Sequence, residues 1–119
     1  MVRIVSGMRP TGSLHLGHYF GVIKNWLEIQ DKNESFFFVA DWHALSTKYD
    51  EKMDLKALSI DLAKTWIACG IEPEKSTIFI QSDVKYHSEL YLVLNMITPV
   101  SWLERNPSYK DLISQSEFK

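Results

Sequence analysis

Cysteine is nearly missing from this sequence: Cys69 stands alone among 119 residues. A single thiol excludes a disulfide scaffold and a cysteine-based zinc site, and it fits a reducing cytoplasm. A long apolar run is missing too, so no stretch is expected to span a membrane, and the N-terminus lacks the layout of a secretory signal. Charge of one sign does not dominate, because 13 basic against 15 acidic residues leave a formal net charge of −2. Nothing global therefore points to nucleic acid or to an acidic membrane surface. Glycine is scarce and unevenly spread. Of five glycines, Gly7, Gly12, Gly17 and Gly21 lie close together and the last is Gly70. Acidic residues are absent before Glu28, while Arg3, Arg9 and Lys24 precede it. The glycine-rich stretch is thus locally cationic. That suits an anion held close to the backbone, and a small early excess of base is also what chance gives.

What is present is enough for a core. The chain is 45% hydrophobic and 24% charged, which suits one folded domain. Three short apolar runs read as buried strands, at residues 2–6, 36–40 and 77–80. Helices are expected between and after them. From His15, apolar residues recur at Leu16, Tyr19, Phe20, Ile23, Trp26 and Leu27, one face of a helix. Leu55, Leu58, Leu62, Trp66 and Cys69 mark a second, with Gly70 as its C-cap and Pro73 just beyond. A third is expected over 87–97, stopped by Pro99. Trp26 and Trp66 read as core. The tail from Asn106 is polar and poorly periodic and reads as loop or a mobile element. Strands that are apolar throughout, alternating with helices, predict an α/β fold: a Rossmann-like parallel sheet in βαβαβα order with both faces covered.

Ligands in such sheets bind beyond the carboxyl ends of the strands. There the sequence turns polar: Ser6 to Gly12 after the first strand, Asp41, Trp42 and His43 after the second, Gln81 and Ser82 after the third. Polar loops are also expected of any fold. The sharpest feature is the loop running from Arg9 to His18. It is not a Walker loop, because His18 and Tyr19 stand where Lys and Ser/Thr are required, and it is not a G-x-G-x-x-G fingerprint. What remains is His15-x-Gly17-His18 at a helix start. Unpaired N–H groups there are expected to face an anion. Gly17 leaves room for a base or ribose against the backbone. His15 and His18 can donate to phosphate oxygens whose charge builds in a transition state. The alternatives are ordinary helix-start residues or, with His43, a zinc site that no nearby Cys or carboxylate completes. Asp41 reads as a cap or turn former.

This H-x-G-H resembles the "HIGH" signature of class I aminoacyl-tRNA synthetases and their nucleotidylyltransferase relatives. Four segments in order narrow the resemblance: Gly-Met-Arg-Pro-Thr-Gly-Ser-Leu-His-Leu-Gly-His-Tyr at 7–19, Ala-Asp-Trp-His-Ala at 40–44, Phe-Ile-Gln-Ser at 79–82 and Leu-Glu-Arg at 103–105. Together they are similar to the N-terminal half of the tryptophanyl-tRNA synthetase family. The resemblance implies ATP-dependent activation of tryptophan and transfer to tRNA(Trp), with Mg²⁺ accompanying the ATP, in a cytoplasmic homodimer. It implies that His15 and His18 are catalytic and hold ATP phosphates. Arg9, Pro10 and Thr11 would line the triphosphate path, and Gly17 would admit the nucleoside. Gly7 and His43 would border the tryptophan pocket, with Val5, Val39 and Ala40 as its apolar walls. Position 5 is Val where some relatives carry an aromatic. The family's lysine-rich "KMSKS" signature is absent, as is the region supplying a carboxylate for the indole N–H. Residues 1–119 therefore read as an incomplete N-terminal half of a catalytic domain, inactive or weak in isolation. The other readings are a free-standing nucleotidylyltransferase or a non-catalytic ATP-binding fragment.

Overall fold

Apolar side chains from three strands and two helical stretches meet on one side of a small parallel sheet, and that asymmetry positions everything else. The computed structural model describes residues 2–48 and 52–115. It divides into two compact units, Met1–Val84 and Lys85–Lys119.

In the first unit the strands are β1 (Arg3–Met8), β2 (Glu34–Val39) and β3 (Ser76–Ile80), in the order β1-β2-β3 and all parallel. The register pairs Gly7 with Phe38 and Met8 with Val39, so β1 runs two residues beyond the expected 2–6. Ala40 N–H donates to Met8 O at 2.9 Å and closes that end of the ladder.

The first connection is helical over 16–30 in three segments: α1 (Leu16–His18), a π turn (Tyr19–Ile23) and α2 (Lys24–Gln30). The wider π turn shifts the angular register. Leu16 and Phe20 are in phase with Ile23 in an uninterrupted α-helix, yet they are 74% and 65% exposed. The second connection holds α3 (Asp41–Lys48) and α4 (Leu55–Ala68). Asp54 caps α4, accepting from Ala57 N–H at 2.9 Å, and Gly70 follows its end at φ +107°, the left-handed geometry expected of it. The region after β2 read as polar loop is instead α3, starting at Asp41 with only Ala40 between it and the strand.

Successive strands step in one direction across the sheet. Right-handed crossovers then lay both connections on the same face. The core confirms it: Met8, Phe37 and Val39 pack with Ile23 and Trp26 of the first connection and Leu62 and Trp66 of the second. Trp26 stacks on Phe37 with centroids 4.3 Å apart and meets Trp66 edge-on at 5.0 Å. Its indole N–H donates to Ser6 Oγ at 3.1 Å. Each such buried side chain stabilises by roughly 1.5–3 kcal/mol. Buried Gln30 clasps the loop after α4, donating to Gly70 O and accepting from Glu72 N–H, each at 3.0 Å.

The expectation of a sheet covered on both faces is corrected within this unit. Strand residues alternate. Arg3, Val5 and Gly7 of β1 lie on the side away from this core and are exposed. Phe36 and Phe38 share that side of β2 and are half-buried.

The second unit contains α5 (Tyr86–Ile97), α6 (Val100–Leu103) and α7 (Pro107–Gln115). Thr98 is extended ahead of Pro99, ending α5 where proline predicts. The tail expected to be loop from Asn106 is helical over Pro107–Gln115. Asn106 Oδ1 accepts from Ser108 N–H at 2.9 Å, and Pro107 opens the helix, where its missing N–H is no loss.

Candidate functional site

At the carboxyl ends of β1 and β2 the open face holds a cleft of about 290 Å³ lined by Gly7, Arg9, Phe38, Ala40, His43 and Ser46. Its floor depends on a glycine. A Cβ on Gly7 would lie 2.5 Å from the Phe38 ring, so only glycine lets that ring lie across β1. Phe38 in turn stacks on Phe79 of β3, centroids 5.5 Å apart.

His43 is carried by α3 and tied to the third strand's end. Its Nδ1 lies 3.1 Å from Gln81 Oε1. Gln81 is buried in the single turn Gln81–Asp83 that follows β3. Asp41 Oδ1 accepts from Ser82 N–H at 3.1 Å. These two bonds fasten the first turn of α3 to the residues after β3, so Asp41 is structural, as its sequence position suggested. Gln81 was visible in the sequence only as a polar residue at a strand end. Its partner is 38 residues away, a separation that no local pattern reports.

The histidine loop is a second cluster. His15 N-caps α1: its Nδ1 accepts from Gly17 N–H at 3.1 Å, and His18 Nδ1 accepts from His15 N–H at 3.3 Å. The two rings lie 4.0 Å apart at 48°. Backbone N–H groups of His18 and Tyr19 bond to His15 O at 2.9 and 3.3 Å. The expectation of unpaired helix-start N–H groups is therefore corrected: those of Gly17, His18 and Tyr19 are bonded inside the loop. A Cβ on Gly17 would lie 2.9 Å from His15 Cε1, so glycine at this position also leaves room for the His15 ring on its cap.

Of the residues singled out from the sequence, Gly7, Arg9, Ala40 and His43 converge on the cleft. Val5 is on the same face of β1 but does not line the cleft, and neither do His15, Gly17, His18 and Thr11. Pro10 is fully buried, so its ring anchors the loop instead of facing a ligand. Val39 is corrected as a cleft wall. Its side chain is fully buried in the core on the helix-covered face, and its neighbour Phe38 takes the wall position. Strand alternation explains the exchange. Phe38 and Ser46 are the lining residues that the sequence reading missed.

All 119 residues match the family model for tRNA synthetases class I (W and Y). The chain is 60% identical over 111 residues to a tryptophan–tRNA ligase of Aquifex aeolicus, covering 93% of this chain and 28% of that protein. It is 55% identical over 119 residues to a tryptophan–tRNA ligase of Thermotoga maritima, covering 99% of this chain and 36% of that protein. Among solved structures, a Campylobacter jejuni tryptophanyl-tRNA synthetase complexed with ADP and tryptophan aligns with TM-score 0.85 and 40% identity, over 98% of this chain and 36% of that one. The chain thus spans between 28% and 36% of the length of these relatives. With its parallel sheet, its polar strand ends and its H-x-G-H loop, the chain belongs to the class I tRNA synthetases of the tryptophan and tyrosine type.

Proposed function

We propose that residues 1–119 form the N-terminal half of the catalytic domain of a tryptophan–tRNA ligase. In this reading the cleft takes tryptophan and the histidine loop takes ATP. The observation that carries it is the cleft itself, which brings Gly7, Arg9, Ala40 and His43 to the carboxyl ends of two parallel strands, where open α/β sheets bind ligands. The names of the Aquifex and Thermotoga relatives and the ADP and tryptophan of the Campylobacter complex support it.

The reaction needs little covalent help from the protein. The tryptophan carboxylate, ionised at neutral pH, attacks the α-phosphorus of ATP. A carboxylate oxygen–phosphorus bond forms, the bond to the β,γ-phosphates breaks, and pyrophosphate leaves. The aminoacyl group then passes to the 3′ end of tRNA(Trp), releasing AMP. Catalysis is mainly positioning and stabilisation of charge. Arg9, exposed at the cleft rim, offers a fork of donors suited to phosphate. His15 and His18 supply further donors, with Thr11 beside them. Gly7, Phe38 and Ala40 supply apolar floor and wall for an indole. Among the described residues no three His, Cys, Asp or Glu side chains gather to hold a metal. Mg²⁺ would enter with the triphosphate and offset its negative charge. Homodimer assembly and a cytoplasmic location belong to the same proposal.

The test uses a chimera in which residues 1–119 replace the matching segment of the Thermotoga maritima relative. ATP–pyrophosphate exchange is expected with tryptophan and not with the other amino acids. Exchange driven by a different amino acid, or none with tryptophan, overturns the proposal.

A further inference from the structure

His43 has two ring nitrogens, and the fold commits one of them. Its Nδ1 lies 3.1 Å from Gln81 Oε1. An amide oxygen only accepts, so the proton of this bond sits on Nδ1. In a neutral imidazole Nε2 then carries a lone pair. His43 lines the cleft and Gln81 does not. With Nδ1 turned to Gln81, Nε2 is the nitrogen left for the cleft, and among the described residues it has no hydrogen-bond partner.

Gln81 is placed to hold this state. It is only 9% exposed and sits in the single turn after β3. That turn is pinned to α3 a second time, where Asp41 Oδ1 accepts from Ser82 N–H at 3.1 Å. A buried side chain on a pinned turn keeps its oxygen in one place. The other polar side chains of the cleft differ in kind. Arg9 is a permanent cation with donors only, and Ser46 spends its hydroxyl proton on His43 O at 2.7 Å. Arg9 therefore suits the anionic groups of a ligand, and the His43 lone pair suits a cationic donor.

We infer that Gln81 is a positioning residue: it holds His43 as the Nδ1–H tautomer, so that Nε2 accepts a hydrogen bond from the α-ammonium of the bound amino acid. The ammonium half rests on the function proposed above; the tautomer half does not. The opposite tautomer would turn an N–H toward the ammonium and repel it. A buried amide 38 residues away thus selects which group of an amino acid His43 meets.

The first measurement is the imidazole ¹⁵N spectrum of the unmodified chain without ligand. His43 is expected as Nδ1–H, and Nε2–H overturns the inference. This readout does not depend on any variant folding. Gln81→Met keeps an unbranched side chain without the acceptor, and it is expected to bring in the Nε2–H tautomer. His43 remaining wholly Nδ1–H in that variant removes Gln81 from the role. Asp41→Ala loosens the same junction by deleting the other bond. It is expected to lower the urea midpoint and leave His43 as Nδ1–H, and a change of tautomer as large as that in Gln81→Met overturns the specific role of Gln81.

The second measurement is binding to the chimera of three ligands: tryptophan, tryptamine, which keeps the ammonium without the carboxylate, and indole-3-propionate, which keeps the carboxylate without the ammonium. Gln81→Met is expected to weaken tryptophan and tryptamine about tenfold, near the low end for one lost hydrogen bond to a charged group, and to leave indole-3-propionate within about twofold. Equal losses for all three ligands would come from a merely structural role and overturn the inference. Losses confined to tryptophan and indole-3-propionate would put the carboxylate at His43 and overturn the ammonium half. A chimera that binds no tryptophan, with His43 still Nδ1–H, sinks the proposed function and the ammonium half together and leaves the tautomer standing.

Discussion

Phe38 and Val39 are neighbours on β2, yet they belong to different parts of the molecule. Val39 is fully buried beneath the helices, among Phe37, Trp26 and Trp66. Phe38 lies half-buried on the other face, over Gly7 and beside the cleft. The helix-covered face is an aromatic core with close ring contacts and holds the fold together. The open face carries the residues proposed to bind substrate. A single step along a strand moves a side chain from stability to function, and that contrast can be tested one residue at a time.

The largest effect is expected on the covered face. Trp66→Ala removes a fully buried ring and should destabilise by about 3–5 kcal/mol, read as a lowered urea midpoint. On the open face, Gly7→Ala should cost about 1–3 kcal/mol, because the new Cβ must displace the Phe38 ring. In the chimera it should also raise the KM for tryptophan, which Trp66→Ala variants that remain folded should not. Gly17→Ala should cost about 1 kcal/mol through the lost His15 cap, with hydrogen exchange accelerated at residue 17 itself. A uniform loss of protection along residues 16–30 would place the effect in the helix as a whole instead.

The smallest effect is expected at Lys75, which bonds Glu72 at 2.7 Å and Asp31 at 2.9 Å. The hydrogen bond to Glu72, then that to Asp31, raises its pKa above the ordinary 10.5. A raised base contributes stability below its unfolded pKa and loses it as pH climbs through the folded value. The contribution is therefore fully present at neutral pH. Solvent screens this exposed cluster, however, so Lys75→Met should leave the urea midpoint unchanged within error. A clear midpoint shift would mean that the cluster is better shielded than its exposure indicates.

The three strands were legible as short apolar runs, and the α4 helix and the burial of Trp26 and Trp66 as residues recurring at helical spacing. The H-x-G-H loop was legible because its residue types and spacing are specific. Other features depended on information that the local pattern does not hold. Phe36, Phe37, Phe38 and Val39 form a continuous apolar run with no alternation, so only the register with β1 and β3 assigns Phe38 to the cleft and Val39 to the core. α3 begins at Asp41 with polar residues that also suit a loop. The π turn displaced Leu16 and Phe20 from the face that an unbroken α-helix predicts. α7 carried a readable signal, Asn106 ahead of Pro107, which is a cap followed by a favoured first helical residue. The bond from His43 to Gln81 became visible only once the strands were aligned side by side.

The central claim is that substrate meets the open face at the carboxyl ends of β1 and β2. The most direct measurement is a titration of the isotopically labelled chain with tryptophan, followed residue by residue in amide NMR spectra. Shifts are expected at Gly7, Phe38, Ala40 and His43, with the indole signals of Trp26 and Trp66 unmoved. Shifts confined to the helix-covered face, or a tryptophan response that leaves Gly7 and His43 untouched, would contradict the account.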